Sequence, residues 1–95
     1  MAGYIIAEVG VTDPETYATY RAQTPGVIER YGGRFIVRGG AAELLEGDRE
    51  PGRIVVIEFA DVAAARRFYD SPDYQAIVGV RQRAAKSRLV LVEGA

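Results

Sequence analysis

Residues 4–11 read YIIAEVGV and residues 53–60 read RIVVIEFA, and these two stretches decide the fold. Both are strand-length runs rich in β-branched and aliphatic residues. Successive side chains of a strand leave opposite faces. On the first stretch Ile5, Ala7 and Val9 therefore oppose Tyr4, Ile6 and Glu8. On the second, Val55, Ile57 and Phe59 oppose Ile54, Val56 and Glu58. The all-apolar sets are expected to pack against helices. A sheet face left to water is normally polar throughout, yet the other face carries Ile6, Ile54 and Val56, with Ile36 and Leu91 expected beside them. A contiguous apolar patch of that kind asks for a partner, and a second copy of the chain is the expected one. Scattered surface hydrophobes are the plainer alternative.

Outward from these strands, Thr12-Asp13-Pro14-Glu15 is a helix start, with Asp13 as cap and Pro14 at the first helical position. That helix is expected to reach about Tyr31, broken at Thr24-Pro25-Gly26 with Thr24 as a second cap, and to end at Gly32-Gly33. Arg34 to Gly47 reads as a strand interrupted by a bulge or kink at Gly39-Gly40. The polar turn Asp48–Gly52 joins it to the RIVVIEFA strand as a hairpin. Asp61 caps a helix over Val62–Tyr69, Ser71-Pro72 opens another to about Lys86, and Ser87–Glu93 (SRLVLVE) is the last strand. The order β-α-β-β-α-β is the split βαβ arrangement. Right-handed crossovers put the first and third strands in the centre of an antiparallel sheet, with the helices on one face. The expected fold is an α+β, ferredoxin-like sandwich forming one domain over residues 1–95.

The alphabet is as informative as the pattern, for there is no Cys, His, Trp or Asn. Loss of His removes the usual general base near neutral pH and the commonest zinc and haem ligand. Loss of Cys removes thiolate chemistry. No acidic cluster has cation-binding spacing, so neither a metal nor another cofactor is expected. The net charge of −1 gives no field steering the chain to nucleic acid or an anionic membrane. No signal segment or apolar span is visible, and absence of cysteine fits a reducing, cytoplasmic setting.

Asp, Glu, Tyr and Arg remain for chemistry. Glu8 and Glu58 share the second sheet face, and Arg38 has the parity of Arg34 and Ile36 there. Drawn into a dimer interior, they make either a general base with an anion clamp or an ion pair that fixes strand register. Tyr20, Val27 and Tyr31 form one stripe of the first helix, with Tyr17 a turn earlier. Tyr74 and Arg81, seven apart, align on the last helix. Such tyrosines are either amphipathic core or a pocket wall, in which Arg81 would bind a carboxylate or enolate. Arg81 on an apolar stripe must find a partner. Arg83, Lys86 and Arg88 are explained by a solvated helix end.

The stretches VTDPETY, ERYGGRFIVRGG, LEGDREPGRIVVIEF, FYDSPDY and SRLVLVEG together resemble the domain-of-unknown-function family 1330, over nearly the whole chain. The resemblance implies a dimeric α/β barrel, in which the sheets of two ferredoxin-like protomers pack face to face. It implies no reaction. Its recurrent polar positions match Asp13, Tyr17, Arg38, Glu58, Ser71, Tyr74 and Arg81, whereas Arg49 and Phe68 stand where relatives often carry Trp. Related cofactor-free monooxygenases, cyclases and isomerases place pockets between helices and sheet; the haem-degrading pattern needs Asn, Trp and His, all absent. Together these readings assign Glu58, Arg38 and Tyr74 to catalysis and Arg81, Tyr17 and Glu8 to substrate binding. The expected function is a homodimer binding a small oxygenated organic molecule, extending to a cofactor-free isomerase, cyclase or monooxygenase. The alternatives are a ligand-sensing or regulatory dimer and a purely structural one. A pocket of roughly 300 Å³ with convergent polar groups separates the last from the others.

Overall fold

The computed structural model describes residues Met1–Ala95. Its elements are β1 (Gly3–Val11), α1 (Pro14–Arg30), β2 (Arg34–Arg38), β3 (Arg53–Phe59), α2 (Val62–Asp70), α3 (Pro72–Ala84) and β4 (Ala85–Glu93). The strands form one sheet in the order β2-β3-β1-β4, with every neighbouring pair antiparallel. This is the expected α+β ferredoxin-like topology, with β1 and β3 central. Ile5 stands opposite Ile57 and Ala7 opposite Val55. Those four side chains, with Val9 and Phe59, are buried beneath the helices. Phe68 of α2 and Tyr74 of α3 anchor the aromatic part of that core, with ring centroids 4.6 Å apart.

Each helix starts on a polar cap. The Asp13 carboxylate accepts the Thr16 hydroxyl at 2.6 Å and the Thr16 N–H at 3.2 Å. Those bonds hold it below the usual carboxylate pKa. Asp61 accepts the Ala64 N–H at 2.7 Å. Ser71 serves two helices: its hydroxyl donates to the Phe68 carbonyl at 2.7 Å and accepts the Tyr74 N–H at 3.1 Å.

Four local expectations need correction. First, α1 is not broken at Thr24-Pro25-Gly26 but continues to Arg30, because buried Val27 and Ile28 carry it across. Thr24 caps nothing; its hydroxyl donates back to the Tyr20 carbonyl at 2.6 Å. Second, β4 begins at Ala85 rather than Ser87. The Ala84 carbonyl accepts the N–H groups of Thr12 and Asp13 at 2.8 and 3.0 Å, so α3 passes into the strand without a turn. The register against β1 pairs Leu91 with Ile5, which places it on the helix side and not the open one, and Val90 and Val92 take the open face.

Third, β2 ends at Arg38 rather than Gly47, because Gly39 adopts φ +71°. A side chain at Gly39 would collide with the Arg53 guanidinium. Fourth, the bulge lies between Phe35 and Val37, ahead of the glycines. An extra residue in one strand reverses the facing of everything after it. Arg34 is opposite Glu58 on the open face, but Arg38 is opposite Val55 on the helix side.

The open face remains apolar along its middle: Ile6, Ile36, Val37, Val90 and Val92 are 37–45% exposed. Ion pairs bracket this stripe, Arg34 to Glu58 at 2.7 Å and Arg49 to Glu8 at 3.1 Å.

Two glycines of β1 and α1 should respond oppositely to alanine. A Cβ at Gly3 would meet the backbone of Asp61 and Val62 at 2.5–2.6 Å, where nothing flexible can give way. At Gly26, exposed in α1, it would meet nothing within 4 Å. Gly3→Ala is expected to lower unfolding free energy by about 1–3 kcal/mol, and Gly26→Ala to raise it by about 0.5–1 kcal/mol. Urea denaturation followed by far-UV dichroism measures both.

Candidate functional site

The helix layer does not seal onto the sheet everywhere. Between α1, α3 and the sheet lies a cavity of about 50 Å³. Ala7, Val9 and Val55 line it from the sheet, Tyr17, Tyr20 and Thr24 from α1, and Tyr74 and Arg81 from α3. Exposed Arg21 and Arg38 mark its solvent side, joined by Arg53 from the start of β3.

Its charge is one-sided. Four arginines line the cavity and no carboxylate does. The chain's ion pairs, Arg30–Asp73, Arg34–Glu58 and Arg49–Glu8, involve none of the four. Arg81 is only 5% exposed. One of its terminal nitrogens donates to the Ser87 hydroxyl, but its Nε is buried without a hydrogen-bond partner, as is Nε of Arg53. A guanidinium cannot shed its proton to relieve burial. Arg38 rests over the Phe35 ring, 4.3 Å from its centroid.

The phenols bring neutral donors. Tyr20 and Tyr74 hydroxyls are 2.7 Å apart in the buried layer. Burial, reinforced by Tyr74, pushes the Tyr20 pKa far above the ordinary phenol value. Tyr20 is therefore a hydrogen-bonding group and not a base. One hydroxyl of the pair bonds to the other, which leaves a single O–H free for a third acceptor.

The structure brings Tyr17, Tyr74, Arg81 and Arg38 to this one cavity and leaves Glu58 and Glu8 on the opposite sheet face. Glu58 meets Arg34 and not Arg38, because the bulge turns Arg38 to the other side; Tyr4 donates to Glu58 at 3.3 Å. The two carboxylates do not form one cluster either. Glu58 is opposite Tyr4, four strand residues (about 13 Å) from Glu8. The cavity falls well short of roughly 300 Å³, although its polar groups do converge. Tyr20 and Arg53 belong to it and were absent from the expected set. The signal for Arg53 was in the alternation, since it precedes Val55, Ile57 and Phe59 at the same parity. Tyr20 lay on the same helical stripe as the other tyrosines.

The family model described as a domain of unknown function (DUF1330) matches residues 2–95. No curated protein matches the sequence significantly. Among solved structures, a protein of unknown function from Rhodopseudomonas palustris is similar at 26% identity and a TM-score of 0.79, over 99% of this chain and 82% of that one. A dimeric ferredoxin-like protein of unknown function from a Jannaschia species is similar at 15% identity and a TM-score of 0.72, over 99% and 100% of the two chains. SnoaB, a cofactor-independent oxygenase from Streptomyces nogalater, shares 19% identity and a TM-score of 0.68, over 99% and 93%.

The raised pKa of Tyr20 has a measurable sign. A native pKa above the unfolded value means that the folded state keeps a proton which the unfolded state releases. The resulting stability is whole below pH 10 and is lost as pH rises beyond it. Tyr20→Phe should flatten this alkaline decline. It should also cost about 1–3 kcal/mol near neutrality by stripping the Tyr74 hydroxyl of its partner. Urea melts of both proteins between pH 7 and pH 11 read the two effects together.

Proposed function

The chain belongs to the DUF1330 family, and on its cavity we propose a function: binding of a small organic anion, a carboxylate or enolate, between helices and sheet of each protomer of a homodimer. The observation that carries this reading is the presence of four lining arginines with no lining acid, two of them with a buried Nε that has no hydrogen-bond partner. An occupant bearing negative charge supplies what the protein withholds. Arg81 would hold the anionic oxygen from the α3 side. The Tyr20–Tyr74 hydroxyl pair would donate one hydrogen bond to a carbonyl or hydroxyl of the same molecule.

The same groups suit an enolisable ligand. Positive charge and a neutral donor stabilise an enolate over its keto form, which is the electrostatic half of cofactor-free chemistry. No general base lines the cavity, so the displaced proton goes to water or leaves before binding. Glu58 is not proposed as that base, since it lies on the far face of the sheet. SnoaB carries a cofactor-independent oxygenase activity on this fold. The reading here rests on the arginines, and binding is its core.

The homodimer is proposed on the open sheet face. Two such faces, each with an aliphatic stripe bracketed by ion pairs, would bury each other's Ile6, Val90 and Val92. Neighbouring folds described as dimeric support the reading.

A thermal-shift screen of small carboxylates and enolisable carbonyls tests the site. Acidic members should raise the melting temperature and their neutral esters should not. For any hit, Arg81→Met should weaken binding by about 10- to 100-fold, the loss of one charge-assisted hydrogen bond. Arg83→Met, exposed at the end of α3, should leave binding unchanged. Equal effects of the two would refute the site.

The open face is tested separately. Light scattering should return about twice the 10.3 kDa chain mass. Val56→Asp, at the middle of that face, should give monomer or unfolded chain.

A further inference from the structure

Residues 39–52, between β2 and β3, run without helix or strand. Structureless connections of that length are uncommon in compact domains and usually carry a task. The Gly39 N–H bonds to the Ile54 carbonyl at 2.7 Å, and no other backbone–backbone hydrogen bond outside the helices and strands involves this loop. Its middle reads Ala41-Ala42-Glu43-Leu44-Leu45-Glu46. Leu45 is 84% exposed, and neither Glu43 nor Glu46 joins an ion pair. Arg49, later in the loop, pairs with Glu8 of the open sheet face, so the loop lies on the side where the second protomer is proposed.

The far edge of the sheet offers the complement. β4 is an edge strand that pairs with β1 over nine residues without a bulge, so its outer N–H and C=O groups are free. Proteins normally shorten, bulge or cover such an edge. The other edge, β2, is five residues long and bulged. Beside β4 runs a groove of about 270 Å³, lined by Ala65 and Tyr69 of α2 and by Leu89 and Leu91 of β4, with exposed Arg66 at its rim. Lys86 and Arg88 of β4 are exposed, and neither they nor Arg66 join an ion pair.

We infer that the loop of each protomer docks on β4 of its partner, where Glu43–Glu46 adds to the sheet edge as a short antiparallel fifth strand. The inference rests on the homodimer reading above and deepens it. Strand alternation makes the two surfaces match. Leu45 enters the groove beside Leu89, and Glu43, on the same face, reaches Arg66. Leu44 and Glu46 take the other face, where Val90 and Arg88 stand. About seven residues out and seven back reach about 20 Å, twice the roughly 10 Å between packed sheets. A two-fold axis lets each protomer give one loop and receive one, so the exchange closes as a dimer.

The chain has no cysteine, so Leu45→Cys with Leu89→Cys introduces its only thiols. Mild oxidation should turn the double variant, and neither single variant, into a covalent dimer on a non-reducing gel. An intrachain disulfide running at monomer size would overturn the inference. Hydrogen exchange assumes no register. In the wild type, the amides of residues 43–46 and the β4 amides not bonded to β1 should exchange about tenfold or more slowly than in a variant carrying Glu43→Gly, Leu44→Ser, Leu45→Gly and Glu46→Ser. Equal β4 exchange in the two proteins, with light scattering showing a dimer, would overturn the inference and leave the open-face dimer standing. A wild-type mass of 10.3 kDa in light scattering would defeat the homodimer reading and this inference with it.

Discussion

The register of β1 against β3 is the constraint on which the remainder depends. With Ile5 opposite Ile57, every second residue of both central strands goes beneath the helices and every other one faces outward. A slip of one residue would exchange the two sets. The inner set is wholly apolar until its end, where Arg53 closes β3 beside Val9. The outer set is aliphatic in its middle and acidic at Glu8 and Glu58. Core, open face and cavity therefore inherit their composition from one pairing.

Within that frame, the arginine-lined cavity is a local departure from economical packing. A buried guanidinium without a carboxylate costs several kcal/mol relative to one in water, since its charge cannot be discharged by deprotonation. The surrounding aromatic core supplies the offsetting stability: Phe59, Phe68 and Tyr74 are each 1% exposed, with successive ring centroids 5.3 and 4.6 Å apart. The Ser87 hydroxyl, accepting from one terminal nitrogen, holds the Arg81 side chain in place. Sites that break a packing rule inside an otherwise consistent fold are where function is usually found.

Legibility differed from element to element for physical reasons. The central strands could be read because clean alternation leaves one solution. The α3 spacing that aligns Tyr74 with Arg81 was equally plain, and both side chains reach the cavity. The helix break at Pro25 misled because proline reports local cost, while buried Val27 and Ile28 decide through packing. The start of β4 was missed because Ala84-Ala85 carries no turn residue. Glu8 and Glu58 were grouped by face, which parity reveals; their separation along the strand depends on register, which parity does not. Arg38 was misplaced because nothing at Ile36 announces a bulge, whereas the conspicuous Gly39-Gly40 terminates the strand instead.

The bulge in β2 also bears on how relatives should be aligned. The chain spends one extra residue between Phe35 and Val37 before Arg38 returns to its place opposite Val55. A homologue one residue shorter could pair regularly across this stretch and still present its arginine to the cavity. Single-residue gaps among relatives therefore belong inside this strand, a place where alignment scoring resists them. Pushing such a gap into the loop that follows would match Arg38 with its neighbour and make the position look variable. Family profiles would then understate the one rim arginine whose facing depends on that irregularity.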